Sequence, residues 1–116
     1  MKNFNFSSFS KMYEELNRSI NEPDIYIPKV GLMGLESFKE KIELFKKDLK
    51  EEGIIWDDSG YDLNLRKIEY PLKELQTYLT NPKQHRMDKE DALIFSEYIW
   101  LTFLGVYDDY KTDKSS

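Results

Sequence analysis

The side chains of this chain that are best suited to chemistry are carboxylates. Asp57, Asp58 and Asp62 surround a Ser-Gly pair, and clustered carboxylate oxygens are the ligands that calcium takes in a binding loop. Their spacing lacks the regular alternation of oxygen ligands that such a loop needs, so a simple turn is the better interpretation. Paired acids also catalyse glycoside hydrolysis. Because the chain has 22 acidic residues, the presence of some pair carries no specific information.

The single histidine, His85, lies in a polar segment between two predicted helices. Histidine titrates near neutral pH and can act as a general base, but a lone histidine in a polar loop is most often simply solvated. One histidine and no cysteine argue against a zinc site. The nucleophile-elbow pattern G-x-S-x-G and a phosphate-binding glycine loop are both absent from the sequence. We therefore expect no catalytic residue, no metal and no cofactor.

Composition and charge narrow the class of protein further. The chain has 116 residues, a length typical of one domain, and a net charge of −5. Phosphate backbones and anionic lipids repel such a chain, so we expect neither a nucleic-acid partner nor a membrane partner. The longest apolar stretch, 98–107, is too short to span a bilayer. Without a visible signal peptide or cysteine, a cytoplasmic location is expected. The bias toward Lys, Ile and Asn suggests AT-rich codons and a bacterial or phage source.

Apolar periodicity predicts a mostly α fold, a compact irregular bundle of about four helices. The first helix is predicted from about residue 9 to 21 with a serine cap, and 22–34 as an extended connector containing two prolines. The second helix ends at Gly53 and has the clearest pattern. Its apolar residues repeat every three or four positions: Leu35, Phe38, Ile42, Phe45 and Leu49. We expect the last four of these residues, Phe38 to Leu49, to face four apolar residues of the last helix: Leu93, Ile99, Phe103 and Leu104.

Three further elements complete the predicted domain, 1–116. Residues 54–66 alternate apolar and polar side chains on both sides of a turn, which is typical of a small β-hairpin. A third helix is predicted from Pro71 to about residue 80. The fourth begins at Asp88 and is apolar around nearly its whole circumference, so we expect it to lie centrally and to be buried on all sides. Residues 111–116 are expected to be a frayed tail.

Three groups combine aromatic and acidic residues, as protein-binding hot spots often do. One is Tyr107-Asp108-Asp109-Tyr110 and another is Tyr13-Glu14-Glu15. The third lies in the predicted hairpin, whose turn would project its side chains into solvent, and it is our predicted partner-binding site: Trp56, Asp57, Asp58, Tyr61 and Asp62. The alternative for each group is that its aromatic rings belong to the core and its acids are ordinary solvated residues.

By elimination, the sequence favours a binding protein over an enzyme. We predict a small acidic inhibitor, an immunity, antitoxin or anti-defence protein that neutralises a basic partner such as a nuclease through complementary charge. The alternatives are a structural or regulatory subunit of a larger bacterial or phage assembly and an uncharacterised small enzyme. A deep cleft with converging polar groups would favour the enzyme, whereas a large exposed apolar patch would favour the subunit.

Overall fold

Apolar side chains repeat every three or four residues along much of the sequence, as an α-helix requires. This computed structural model describes residues 1–22, 29–55, 58–81 and 87–115, and within them the chain forms five helices. The helices are α1 (Phe6–Asn21), α2 (Lys29–Glu51), α3 (Gly60–Arg66), α4 (Glu69–Thr80) and α5 (Lys89–Ser115). Four of them are long and α3 has only seven residues. Within the described ranges there is no strand, so the mostly helical prediction is confirmed and the predicted β-hairpin is wrong.

The first two helices begin earlier than the sequence predicted. The side chain of Asn5, rather than a serine, caps α1 by accepting a hydrogen bond of 2.9 Å from the backbone N–H of Ser8. Helix α2 already begins at Lys29, so the second half of the predicted connector is helical, while 23–28 lie outside the described residues. Gly53 ends α2 as predicted. Its φ of +71° is the left-handed conformation that glycine adopts without steric cost.

The segment predicted as the second strand of the hairpin is helix α3. In a strand, Leu63 and Leu65 would point to the same side of the sheet. Instead, Leu65 is 1% exposed and Leu63 is 48% exposed, as a helix requires. A helical repeat continues from this segment through α4, with buried residues every three or four positions: Leu65, Ile68, Leu72, Leu75 and Leu79. Pro71, which lacks the N–H that would continue the hydrogen-bond ladder, accounts for the break between α3 and α4.

The last helix begins where the sequence predicted but runs further. Asp88 caps α5 by accepting a 2.8 Å hydrogen bond from the backbone N–H of Asp91. The helix then continues to Ser115, through the segment expected to be frayed. Its burial is one-sided, because its buried residues repeat every three or four positions along one face: Ala92, Ser96, Ile99, Phe103, Val106 and Tyr110. The opposite face exposes Ile94 and Leu101, so the prediction that α5 is buried on all sides is wrong.

The core is built mainly from aromatic rings. Phe45 of α2 lies 4.8 Å from Phe103 of α5, measured between ring centroids. Phe9 of α1 lies between the two helices, with its ring 4.5 Å from Phe38 and 4.2 Å from Phe103. The expected pairing of α2 with α5 is therefore confirmed for Phe45 and Phe103, while Leu93 and Leu104 are only half-buried.

Packing of α1 against α2 and α5, and of α4 against α5 and α2, encloses one hydrophobic cluster. The molecule measures 47 × 24 × 18 Å. Among the described helices, none is long and apolar enough to cross a membrane.

Candidate partner-binding surface

The structure describes three of the five residues predicted to bind a partner. Asp58, Tyr61 and Asp62 lie at the amino-terminal end of α3, whereas Trp56 and Asp57 lie outside the described residues. His85, considered above as a general base, also lies outside them. Of the predicted turn, Asp58 and Ser59 precede α3 and Gly60 is its first residue, so this segment leads into a helix instead of a second strand.

Local hydrogen bonds fix the start of α3. Ser59 Oγ accepts from the backbone N–H of Asp62 at 3.3 Å, and Asp62 Oδ2 accepts from the backbone N–H of Asp58 at 2.9 Å. This exchange is close to the capping box that satisfies free N–H groups at helix starts. Asp58 has a φ of +65°, a left-handed conformation that aspartate tolerates better than most residues. The Ser-x-x-Asp spacing was the sequence signal for a helix here.

Arg66 partly neutralises the acidic residues of α3. Its guanidinium lies 3.0 Å from Asp58 Oδ1 and 2.7 Å from Asp62 Oδ2. The i, i+4 spacing of Asp62 and Arg66 indicates this pair once the segment is known to be helical. The side chain of Asp62 is 19% exposed, whereas that of Asp58 is 75% exposed. Asp58 is therefore the more accessible carboxylate of the two.

Tyr61 connects the start of α3 with the end of α5. Its hydroxyl donates a hydrogen bond to Asp113 Oδ2 near the end of α5. Tyr61 and Asp113 also line a shallow depression together with exposed Asp109. We call this surface the acidic end, and define it by five residues from the start of α3 and the end of α5: Asp58, Tyr61, Asp62, Asp109 and Asp113.

The phenol of Tyr61 reports on the electrostatics of the acidic end. Its partial burial, its hydrogen bond to Asp113 and the negative charges of Asp113 and Asp109 raise the pKa of Tyr61 to about 12. Each of these effects disfavours the phenolate anion. Tyr61 therefore stays protonated at neutral pH and acts as a hydrogen-bond donor rather than as a base.

The tyrosine rings of the other two groups lie in the core or pack against it. Tyr110 is 5% exposed, and its hydroxyl donates to both carboxylate oxygens of Glu52 at 3.1 Å. Tyr107 stacks on Phe6, with ring centroids 4.7 Å apart. In the third group, Tyr13 stacks on Trp100 at 4.4 Å. Tyr110 is therefore a core residue, and Tyr107 and Tyr13 are half-buried against the core.

The depression at the acidic end has a volume of about 420 Å³. Its described lining contains acidic and uncharged side chains but no basic one: Ile54, Ser59, Gly60, Tyr61, Asn64, Asp109, Thr112 and Asp113. A lysine or arginine side chain from a partner has the charge and the hydrogen-bond donors to bind there.

A second depression, of about 480 Å³, lies between α2 and the α3–α4 segment. Leu65, Ile68 and Leu72 contribute to its apolar floor, and its rim carries charges of both signs. On α2, Lys39 pairs with Glu36 at 3.7 Å. The described residues that line it include no serine, histidine or cysteine. Across the described part of the chain, no group of three or more histidine, cysteine or acidic residues is arranged to hold a metal ion.

Comparison with protein-family models, with curated proteins and with solved structures finds no match for this chain.

Proposed function

We propose that this protein is a small acidic inhibitor of the immunity, antitoxin or anti-defence type, and not an enzyme. In this proposal it binds and neutralises a basic protein, such as a nuclease. One observation carries the proposal: the bond between Tyr61 and Asp113 joins two acidic segments, distant in sequence, into one surface around a depression.

Complementary charge is the physical basis of the proposed recognition. The whole chain has a net charge of −5, and the acidic end brings carboxylates of α3 and α5 onto one surface. A surface of one sign attracts an oppositely charged partner over roughly a Debye length, about 8–10 Å at physiological salt, and so accelerates association. When the partner is a nuclease, the same acidic side chains would occupy the positions of substrate phosphates and block its cleft.

Arg66 changes which acidic residues contribute most to this surface. Because Arg66 pairs with both Asp58 and Asp62, the charge of α3 alone is smaller than the sequence suggested. Asp109, which is exposed and makes no ion pair with a described residue, strengthens the field from α5. We therefore include Asp109 and Asp113 in the proposed partner-binding set, beside the residues predicted from sequence.

A pull-down with charge-matched variants tests the proposal. The acidic-end variant, Asp58→Asn with Asp109→Lys, removes one negative charge and reverses another. The control variant, Glu15→Gln with Glu14→Lys, makes the same net change at exposed positions of α1. Wild type and control should capture the same basic protein from the source cells at a stoichiometric ratio, and the acidic-end variant should not. If a captured nuclease stays fully active in the complex, the inhibitor proposal fails.

A structural or regulatory subunit is the second candidate, and one observation favours it. Apolar side chains of α5 are exposed, among them Ile94 (64%) and Leu101 (57%), as expected for a surface that another subunit covers. Binding through apolar burial depends weakly on salt, whereas steering by the acidic end weakens as salt increases. The salt dependence of partner binding therefore distinguishes the two candidates.

A further inference from the structure

Helix α5 exposes an apolar stripe on the side opposite its buried face. Ile94, Tyr98 and Leu101 follow one another at intervals of four and three residues, so they share one side of the helix. Their exposed fractions are 64%, 44% and 57%. We call these three residues the α5 ridge. It lies in the amino-terminal half of α5, away from the acidic end at the other terminus.

A hollow of about 300 Å³ lies beside the α5 ridge, on the side of α3 and α4. Tyr70 and Phe95 form part of its wall, with ring centroids 6.3 Å apart. Tyr70 is 60% exposed and extends the apolar surface beyond α5. The side chains of the ridge together with Tyr70 expose on the order of 400 Å² of largely apolar surface, which is the size at which a patch on a monomer is often functional.

Charges of opposite sign flank this surface. Lys67 lines the hollow on the α3–α4 side. Phe95 lies between the α5 ridge and the hollow. Because each residue advances by about 100° around a helix, Glu97 lies on the other side of the ridge. Both are exposed, and neither makes an ion pair with another described residue. Lys67 lines the hollow together with Ile94 and Tyr98. Since Glu97 lies between these two residues in the sequence of α5, Lys67 and Glu97 are at the same height along this helix.

We propose that the α5 ridge binds a second copy of this chain, about a two-fold axis that runs parallel to α5. Such an axis brings the ridge of one copy onto the ridge of the other. It also places Glu97 of each copy opposite Lys67 of the second copy, so that both flanks are matched in charge. A stable interface buries about 800 Å² on each partner. The apolar surface supplies roughly half of that area, and the charged flanks extend the contact.

Sedimentation equilibrium of the full chain measures this association. The mass should rise from 13.9 kDa toward twice that value over a concentration range of roughly 10–500 µM, because an interface of this size gives a modest affinity. Leu101→Glu should keep the protein monomeric. The matched control Met33→Glu changes a side chain that is 62% exposed on α2, and it should leave the dimer intact.

A charge exchange tests the arrangement itself. Lys67→Glu and Glu97→Lys should each weaken the dimer about fivefold or more, because each places like charges opposite one another. The double variant restores both pairs and should return the affinity to within about twofold of wild type. A monomer at every concentration, an unaffected Leu101→Glu dimer, or a double variant that is not rescued overturns the proposal. The acidic-end variant should still dimerise, so this test is independent of the proposed inhibitor function.

Discussion

The Oδ2 atom of Asp48 accepts a hydrogen bond of 2.7 Å from the backbone N–H of Phe4. The same carboxylate accepts from the backbone N–H of Asn3 and from its side-chain amide. Asp48, which is 1% exposed, therefore attaches the segment before α1 to α2. In this position the ring of Phe4 lies 5.1 Å from Phe45 and 5.5 Å from Phe103. A buried carboxylate thus fixes one ring of the aromatic core.

Asp48→Ala should lower the free energy of unfolding by about 2–4 kcal/mol. The substitution leaves the buried N–H of Phe4 without its charged acceptor and removes the bonds from Asn3. A buried unsatisfied donor costs about 1–3 kcal/mol, and a hydrogen bond to a charged group contributes about 1.5–3 kcal/mol. Asp48→Asn keeps one acceptor oxygen and should cost less. Urea denaturation measures both. Asp108→Ala, at an exposed position of α5, should change stability by no more than ~0.5 kcal/mol. Equal effects at Asp48 and Asp108 would contradict the anchoring role.

Protonation of Asp48 should also make the free energy of unfolding depend on pH. Burial by itself would raise the pKa of the Asp48 carboxyl, but the hydrogen bonds from Phe4 and Asn3 outweigh it and hold the pKa below its ordinary value. The folded state then binds this proton more weakly than the unfolded state. The stabilisation is fully present above about pH 4–5 and is lost as pH falls through the lower folded pKa. Urea melts should show that the free energies of unfolding of wild type and Asp48→Asn approach each other as pH falls. A difference in free energy that stays constant down to about pH 2 would contradict this.

The helices were predictable where the buried residues follow a regular repeat. Helix α2 has such a repeat, and Gly53 correctly predicted where the helix ends. The segment around Leu63 did not, because alternation over a few residues fits a strand and a short helix equally well. Its true pattern becomes visible only when Leu65 is followed through Ile68 into α4. On α5, Tyr98 and Leu101 made the helix look buried on all sides, because hydrophobicity alone does not distinguish a core face from an exposed apolar face.

The acidic end was predictable only in part. The local sequence identified Asp58, Tyr61 and Asp62, since they lie within five residues of one another. The contact between Tyr61 and Asp113 joins residues 52 positions apart, and no local spacing reports such a contact. It depends on how α3 packs against α5, which is a property of the folded chain.

Removal of the Asp113 charge should lower the pKa of Tyr61. In the wild type, partial burial, the hydrogen bond to Asp113 and the nearby acidic charges raise this pKa to about 12. Asp113→Asn should move it toward the ordinary value of about 10. NMR of tyrosine labelled at Cζ follows the titration, and Tyr61→Phe assigns the signal. Titration near 10 in both proteins would show that Asp113 does not act on Tyr61.

The same pKa has a consequence for stability at alkaline pH. A phenol whose folded pKa exceeds its unfolded value stabilises the protein fully below about pH 10, and that stabilisation is lost as pH rises from about 10 to 12. Tyr61→Phe cannot ionise and should therefore lose less stability than wild type over this window. Urea melts of both proteins across the window provide the comparison. Identical losses would mean that the folded pKa of Tyr61 is not raised.

Phe45→Ala should lower the free energy of unfolding by about 3–5 kcal/mol, through lost burial and the cavity that remains. Phe45 is fully buried and packs against three rings: Phe4 before α1, and Phe103 and Tyr110 of α5. Phe45→Leu keeps most of the volume and should cost clearly less. Urea denaturation measures both variants. A loss below about 1 kcal/mol for Phe45→Ala would contradict the position of this ring in the core.

The central claim is that the acidic end recruits a basic partner by charge, and the association rate constant at low ionic strength tests it most directly. Stopped-flow mixing with the basic protein recovered from the source cells compares wild type, the acidic-end variant and the control variant. The two variants carry the same net charge, so only the location of the charge differs. The acidic-end variant should associate about tenfold more slowly than wild type and show a weaker salt dependence, while the control stays within about twofold. Equal rates for the two variants would contradict the claim.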